Sequence, residues 1–153
     1  MIAIIGAATA AILGGFGSSL GILNASAKGS GVLAEKPNLF GKVLILVALP
    51  GSQGVYGLLI GIIILLKAGM IGGGDGVLTA TSGYQLLAAG CIMGIAALFS
   101  SLLQGKAVSA AIGAVAREES LGGKAIVLSV LIETYAIFGL LVAILIANSV
   151  TLS

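Results

Sequence analysis

The sequence has no histidine, no tryptophan, one cysteine and two prolines, and only 8% of its 153 residues are charged. The missing histidine excludes a histidine pH switch and histidine-ligated metal centres. A lone Cys91 excludes an intrachain disulfide and a multi-cysteine metal site, and its apolar surroundings make it a small buried packing residue. So few charges, with no nucleic-acid partner expected, exclude an ordinary soluble domain. What remains is 59% hydrophobic, with 25 glycines and a mean hydropathy of +1.25, which is the composition of a membrane protein. No basic region precedes the first apolar run, so that run is expected to be a retained helix and not a cleaved signal peptide.

Four apolar segments follow one another, at roughly 2–34, 40–69, 82–116 and 122–149. Polar or glycine-rich breaks separate them: Glu35 to Asn38, Gly72 to Gly76, and Arg117 to Ser120. Each segment reaches the roughly 20 residues that a helix needs to cross a bilayer core. Lipid cannot satisfy free backbone groups and no alternating strand pattern is present, so the expected fold class is an all-α membrane protein of four transmembrane helices. Lys28, Lys36 and Lys42 flank the first break, and Lys106, Arg117 and Lys124 flank the third. That bias predicts that both loops are cytoplasmic, and that the termini and the glycine-rich loop lie outside.

The chain repeats. Shifted by 82, Gly41-Lys42 falls on Gly123-Lys124, Leu46 on Leu128, Leu49 on Leu131, and Gly57-Leu58-Leu59 on Gly139-Leu140-Leu141; Phe16 meets Phe99 at 83. The predicted organisation is a duplicated hairpin. Residues 1–70 form the first hairpin, 71–81 an extracytoplasmic glycine-rich loop, and 82–153 the second hairpin. The copies differ where Glu133 falls on Gly51. Ala7, Ala11, Gly14, Ser18, Gly21 and Ala25 make a continuous small face on the first helix, and Gly90, Gly94, Ala97 and Ser101 a shorter one on the third. Such a face either packs tightly within one bundle or lines the crowded inner circle of a ring of copies.

Glu133 stands mid-way along the last apolar run with no Lys or Arg within reach on its own helix. A bare charge at a helix centre costs at least about 2.5–3.5 kcal/mol, so the acid is either a protonated structural group or a functional one. Polar groups gather at its depth. Gln104 and Glu133 are equally far from the midpoint between Glu118 and Glu119, about 22 Å along each helix at about 1.5 Å per residue. On the second helix, Leu49, Ser52, Gln53 and Tyr56 share one face, and Pro50 perturbs the backbone ladder so that nearby carbonyls become available. The layer therefore offers the Glu133 carboxylate, the amide oxygens of Gln53 and Gln104, the Ser52 hydroxyl and a carbonyl around Leu49, with Tyr56 placed to donate to Glu133. An all-oxygen set suits a hard cation. One negative charge matches a monovalent ion, and a proton requires fewer oxygens, which favours Na⁺ over H⁺.

The Pro-Gly-Ser-Gln-Gly-Val-Tyr-Gly run at 50–57, Gln104-Gly105-Lys106 and Glu133-Thr134-Tyr135 resemble the proteolipid subunit of V-type and A-type rotary ATPases, most of all its sodium-pumping bacterial members. The resemblance covers nearly the whole chain. It implies Na⁺ ligation by the Leu49 carbonyl, Ser52, Gln53, Gln104 and Glu133, with Tyr56 on the carboxylate; Ser52 stands where the family more often has threonine. It further implies a ring of identical copies in the cell membrane. The expected partners are lipid, a stator subunit whose arginine meets the empty site, and a central stalk on the cytoplasmic loops. H⁺ as the carried ion, or a passive channel or structural bundle, are the alternatives. The chain has no catalytic site: Gly72 to Gly76 lacks the Gly-Lys-Ser/Thr of a phosphate-binding loop.

Overall fold

The structure, a computed structural model, describes residues 1–72 and 77–151; the core of the 71–81 loop, residues 73–76, lies outside the described residues. Among the described residues five α-helices follow in chain order: α1 (Ile2–Glu35), α2 (Phe40–Ala48), α3 (Ser52–Lys67), α4 (Ala80–Arg117) and α5 (Gly122–Ser149). α2 and α3 are two halves of one span joined by a 3₁₀ turn, Leu49–Gly51, so the expected second helix is kinked at Pro50. Proline has no backbone N–H, and the ladder tightens around it. Together with the 3₁₀ turns Pro37–Leu39 and Glu119–Leu121, these make, among the described residues, four spans long and apolar enough to cross a membrane. α4 begins at Ala80, inside the stretch expected to be loop, because the Thr79 hydroxyl accepts from the Ser82 N–H and caps the helix there. At the other side of that loop, Gly69 takes φ 69° and α3 closes with Gly69 N–H to Leu66 O and Met70 N–H to Leu65 O, a Schellman ending that needs glycine's freedom.

α1 and α4 form the most closely packed pair, α3 packs on α1, and α5 packs on α4 and reaches α3. Glycine makes this possible. A Cβ on Gly21 would fall 2.6 Å from the Ser101 carbonyl oxygen, one on Gly17 2.7 Å from the Leu98 Cα, and one on Gly14 3.1 Å from the Gln53 carbonyl oxygen. Much of the small face of α1 is thus packed within the chain, against α3 and α4. Cys91, expected to be buried, is half-buried and free. Large apolar side chains such as Phe16, Leu58, Leu131 and Phe138 are exposed on the outside.

The loops at residues 36–39 and 118–121 meet at one end of the bundle. Lys36 Nζ donates to the Ala116 carbonyl at 2.7 Å, Asn38 to Glu119 at 3.2 Å, and Lys42 pairs with Glu119 at 3.1 Å. The Lys42 ammonium holds the Glu119 carboxyl below the usual carboxylate range, and hydrogen bonds from Ser120 do the same for Glu118. Both pairs of groups are exposed, so they tie loops and add little stability. Inside, the core divides in two. One apolar cluster at the loop end includes Val32, Leu39, Val43 and Val115. The other, at the end of the chain termini, includes Ala3, Ile64, Leu86 and Ala147. A polar layer lies between them.

Candidate ion-binding site

The layer is organised by the kink. Pro50 interrupts the helical ladder, and the carbonyls around it are taken up by neighbouring helices. Ser101 Oγ on α4 donates to the Pro50 carbonyl at 2.7 Å. Ser18 Oγ on α1 donates to the Gly51 carbonyl at 3.3 Å and accepts from the Gly54 N–H at 2.7 Å. The turn is held from both sides, which fixes the first turn of α3. Ser52, where α3 begins, turns its hydroxyl to the Leu49 carbonyl at 3.1 Å and to Gln53 Oε1 at 3.3 Å. Three oxygens therefore crowd together with a single hydroxyl hydrogen among them.

Gln53 and Gln104 are fully buried, and their amides are locked nose to tail. Gln53 Nε2 donates to Gln104 Oε1 at 2.6 Å and to Ser100 Oγ at 3.3 Å. Gln104 Nε2 donates to the Ser129 carbonyl on α5 at 3.1 Å. With both hydrogens of its Nε2 drawn toward α4, Gln53 leaves its oxygen end beside Ser52. Tyr56, one turn along α3, donates its hydroxyl to Glu133 Oε1 at 2.6 Å, a short bond of the kind a carboxylate accepts. Ser52 and Tyr56 lie one turn apart on the same face of α3, so the carboxylate that Tyr56 holds is brought to the face that carries the oxygen cluster. Tyr56 and Glu133 are half-buried, on the side where α3 and α5 face outward.

All the residues singled out from the sequence, Leu49, Pro50, Ser52, Gln53, Tyr56, Gln104 and Glu133, are gathered in this layer. Sequence reasoning missed Ser100 and Ser129, and took Ser18 and Ser101 for packing alone. Ser129 Oγ returns to the Ala125 carbonyl of its own helix, and it is the Ser129 carbonyl that serves the layer. Ser100 Oγ donates to the Ile132 carbonyl at 3.0 Å. A signal for Ser100 existed in the duplication: Ser18 and Ser100 are 82 residues apart, and each sets its hydroxyl on a carbonyl of the following helix.

The repeat also decides the chain's kinship. The sequence profile of the ATP synthase C-subunit family matches twice, at residues 5–64 and 87–146, the same offset of 82. The chain belongs to that family. It is a c/K-type proteolipid, a non-catalytic membrane subunit of ion-translocating ATPases. It is 45% identical over 141 residues, 92% of its length, to the A-type ATP synthase subunit K of Methanocaldococcus jannaschii, and spans 59% of that relative. It is 32% identical over 143 residues, 94% of its length, to the V-type sodium ATPase subunit K of Enterococcus hirae, and spans 88% of that relative.

Proposed function

We propose that this proteolipid is a rotor-ring subunit that binds Na⁺ at Glu133 and carries it across the membrane during ATP-driven rotation. The ligands in this reading are the Leu49 carbonyl, Ser52, Gln53, Gln104 and Glu133, with Tyr56 holding the carboxylate. The observation that carries it is the crowding of the Leu49, Ser52 and Gln53 oxygens around one hydrogen, beside the Tyr56–Glu133 pair. Oxygens with so few hydrogens among them leave lone pairs for a hard cation, and a monovalent ion balances the single carboxylate. The sodium ATPase to which the Enterococcus relative belongs by name supports the same ion.

Loaded, the site is neutral and can pass lipid; emptied, it is an unpaired carboxylate that requires a nearby cation. That asymmetry suits a ring of identical copies turning past a stator subunit that supplies an arginine, with a central stalk on the lysine-bearing loops. Those loops then face the cytoplasm, and both termini and the 71–81 loop face out of the cell, by the charge bias. The test is carbodiimide modification of Glu133, which consumes the protonated carboxyl. Na⁺ should slow it at fixed pH, K⁺ should protect less, and the Na⁺ needed for half-protection should rise as pH falls, because both ions compete for the same oxygens. Equal rates with and without Na⁺ across pH refute Na⁺ and leave the H⁺ rotor; conduction through the purified ring without a stator supports a channel.

A further inference from the structure

We propose that Ser100 is a positioning residue of this site, setting which end of the Gln53 amide faces the ion. The inference rests on the Na⁺ reading and deepens it. A carboxamide has two ends of opposite polarity, and a buried one keeps the orientation that its partners impose. Gln53 Nε2 carries two hydrogens. Gln104 Oε1 takes one at 2.6 Å, and Ser100 Oγ takes the other at 3.3 Å. Ser100 can accept because its own hydrogen is committed elsewhere, to the Ile132 carbonyl at 3.0 Å. That carbonyl belongs to the residue before Glu133. One hydroxyl on α4 therefore links the Gln53 amide on α3 to the backbone that carries the acid on α5. It is 4% exposed, so no water replaces it freely.

Without the hydroxyl, the Gln53 amide keeps one partner for its two N–H groups. It is then free to turn, and any turn that brings N–H toward the Ser52 side sets a donor against the cation. Ser100 touches none of the Glu133 oxygens, so it acts through Gln53 and Ile132. Alanine at this position is smaller and a stronger helix former, so the ring should still assemble.

The experiment compares Glu133 modification in purified wild type, Ser100→Ala, Ser100→Thr and Gln53→Met, and in the Ser100→Ala/Gln53→Met double variant, titrated with Na⁺ and with K⁺ at fixed pH. Ser100→Ala should raise the half-protecting Na⁺ concentration about tenfold or more, the usual effect of losing a group that orients a ligand. The ratio of Na⁺ to K⁺ protection should fall with it. Ser100→Thr, which keeps the hydroxyl, should restore both. In the Gln53→Met background, Ser100→Ala should change nothing further, because the amide it orients is gone. A half-protecting concentration for Ser100→Ala within twofold of wild type overturns the proposal while leaving the Na⁺ reading intact. So do full additivity in the double variant, and failure of Ser100→Ala to assemble. A wild type that Na⁺ does not protect overturns both.

Discussion

Gly21→Ala adds one methyl at the point where three helices converge on the kink. Its Cβ would lie 2.6 Å from the Ser101 carbonyl oxygen, 2.7 Å from Pro50 Cβ and 2.8 Å from Ser101 Oγ. The first two belong to a helix backbone and a proline ring, which cannot rotate away. Ordinary contact needs about 3.5 Å, so α1 must retreat by about 1 Å from α4 or from the turn. Forcing a methylene into a packed site costs about 1–3 kcal/mol, against about 0.5–1 kcal/mol gained from replacing helical glycine by alanine. The clash wins, with a net loss of about 1–2 kcal/mol. For a chain of this size that lowers a thermal midpoint by about 2–8 °C, read by circular dichroism of the purified protein. Gly31→Ala is the control on the same helix, since a Cβ there meets nothing within 4 Å; it should hold the midpoint or raise it. The effect should also reach the site, because the Ser101–Pro50 hydrogen bond that fixes the turn lies directly under the new methyl. Equal midpoints for Gly21→Ala and Gly31→Ala would refute the packing account of the small face.

Gln104→Leu removes the acceptor of one buried bond and the donor of another; at about 0.6 kcal/mol per interhelical bond, rising to about 1.7, it should destabilise the protein by about 1–3 kcal/mol in a thermal melt and weaken Na⁺ protection of Glu133. Cysteines placed at Asn38 and Ser120 in a Cys91→Ala background should react with an impermeant thiol reagent from the cytoplasmic side only. The Glu119 carboxyl is held low by Lys42, so the tie between the loops is present at neutral pH and is lost as pH falls through that depressed value. Hydrogen exchange at the 36–39 amides should therefore be faster in Glu119→Gln than in wild type at neutral pH, with the difference vanishing in acid and shrinking in high salt.

Much of this was legible in the sequence because its helices run straight from the loops. Counting residues from Glu118 and Glu119 put Gln104 and Glu133 at one depth; the bonds from Gln104 to the Ser129 carbonyl and from Ser100 to the Ile132 carbonyl instead set Gln104 about one turn nearer the loop end than Glu133, because the 118–121 turn does not divide the two helices evenly. Pro50 announced the kink, since no other residue both lacks an N–H and crowds the preceding turn. The serines were harder. Ser18, Ser100 and Ser101 stand among glycines and alanines, where a hydroxyl reads as one more small side chain, and only the placement of the neighbouring helix reveals that each reaches a backbone carbonyl. The partner of the α1 small face was likewise hidden. Periodicity says which face is small, and it does not say whether that face meets α4 of the same chain or a second copy.

The duplication explains why the proposed site has no counterpart in the first hairpin. Under the offset of 82, Ser52 corresponds to Thr134, and both hydroxyls donate to the carbonyl three residues back, Leu49 at 3.1 Å and Leu131 at 2.7 Å. Ser18 and Ser100 correspond and do the same work in their own hairpins. The backbone scaffolding of the site is therefore present twice. The polar ends are not. Glu133 corresponds to Gly51, Gln104 to Ile22 and Gln53 to Tyr135. A Cβ on Gly51 would meet the Ile22 side chain at 3.5 Å, so the first hairpin sets a methyl where the second sets an amide. A carboxylate introduced at Gly51 would find a hydrocarbon beside it and no donor oriented by a second helix, and its charge would go uncompensated. Four helices thus support one carboxylate in the membrane interior, Glu133.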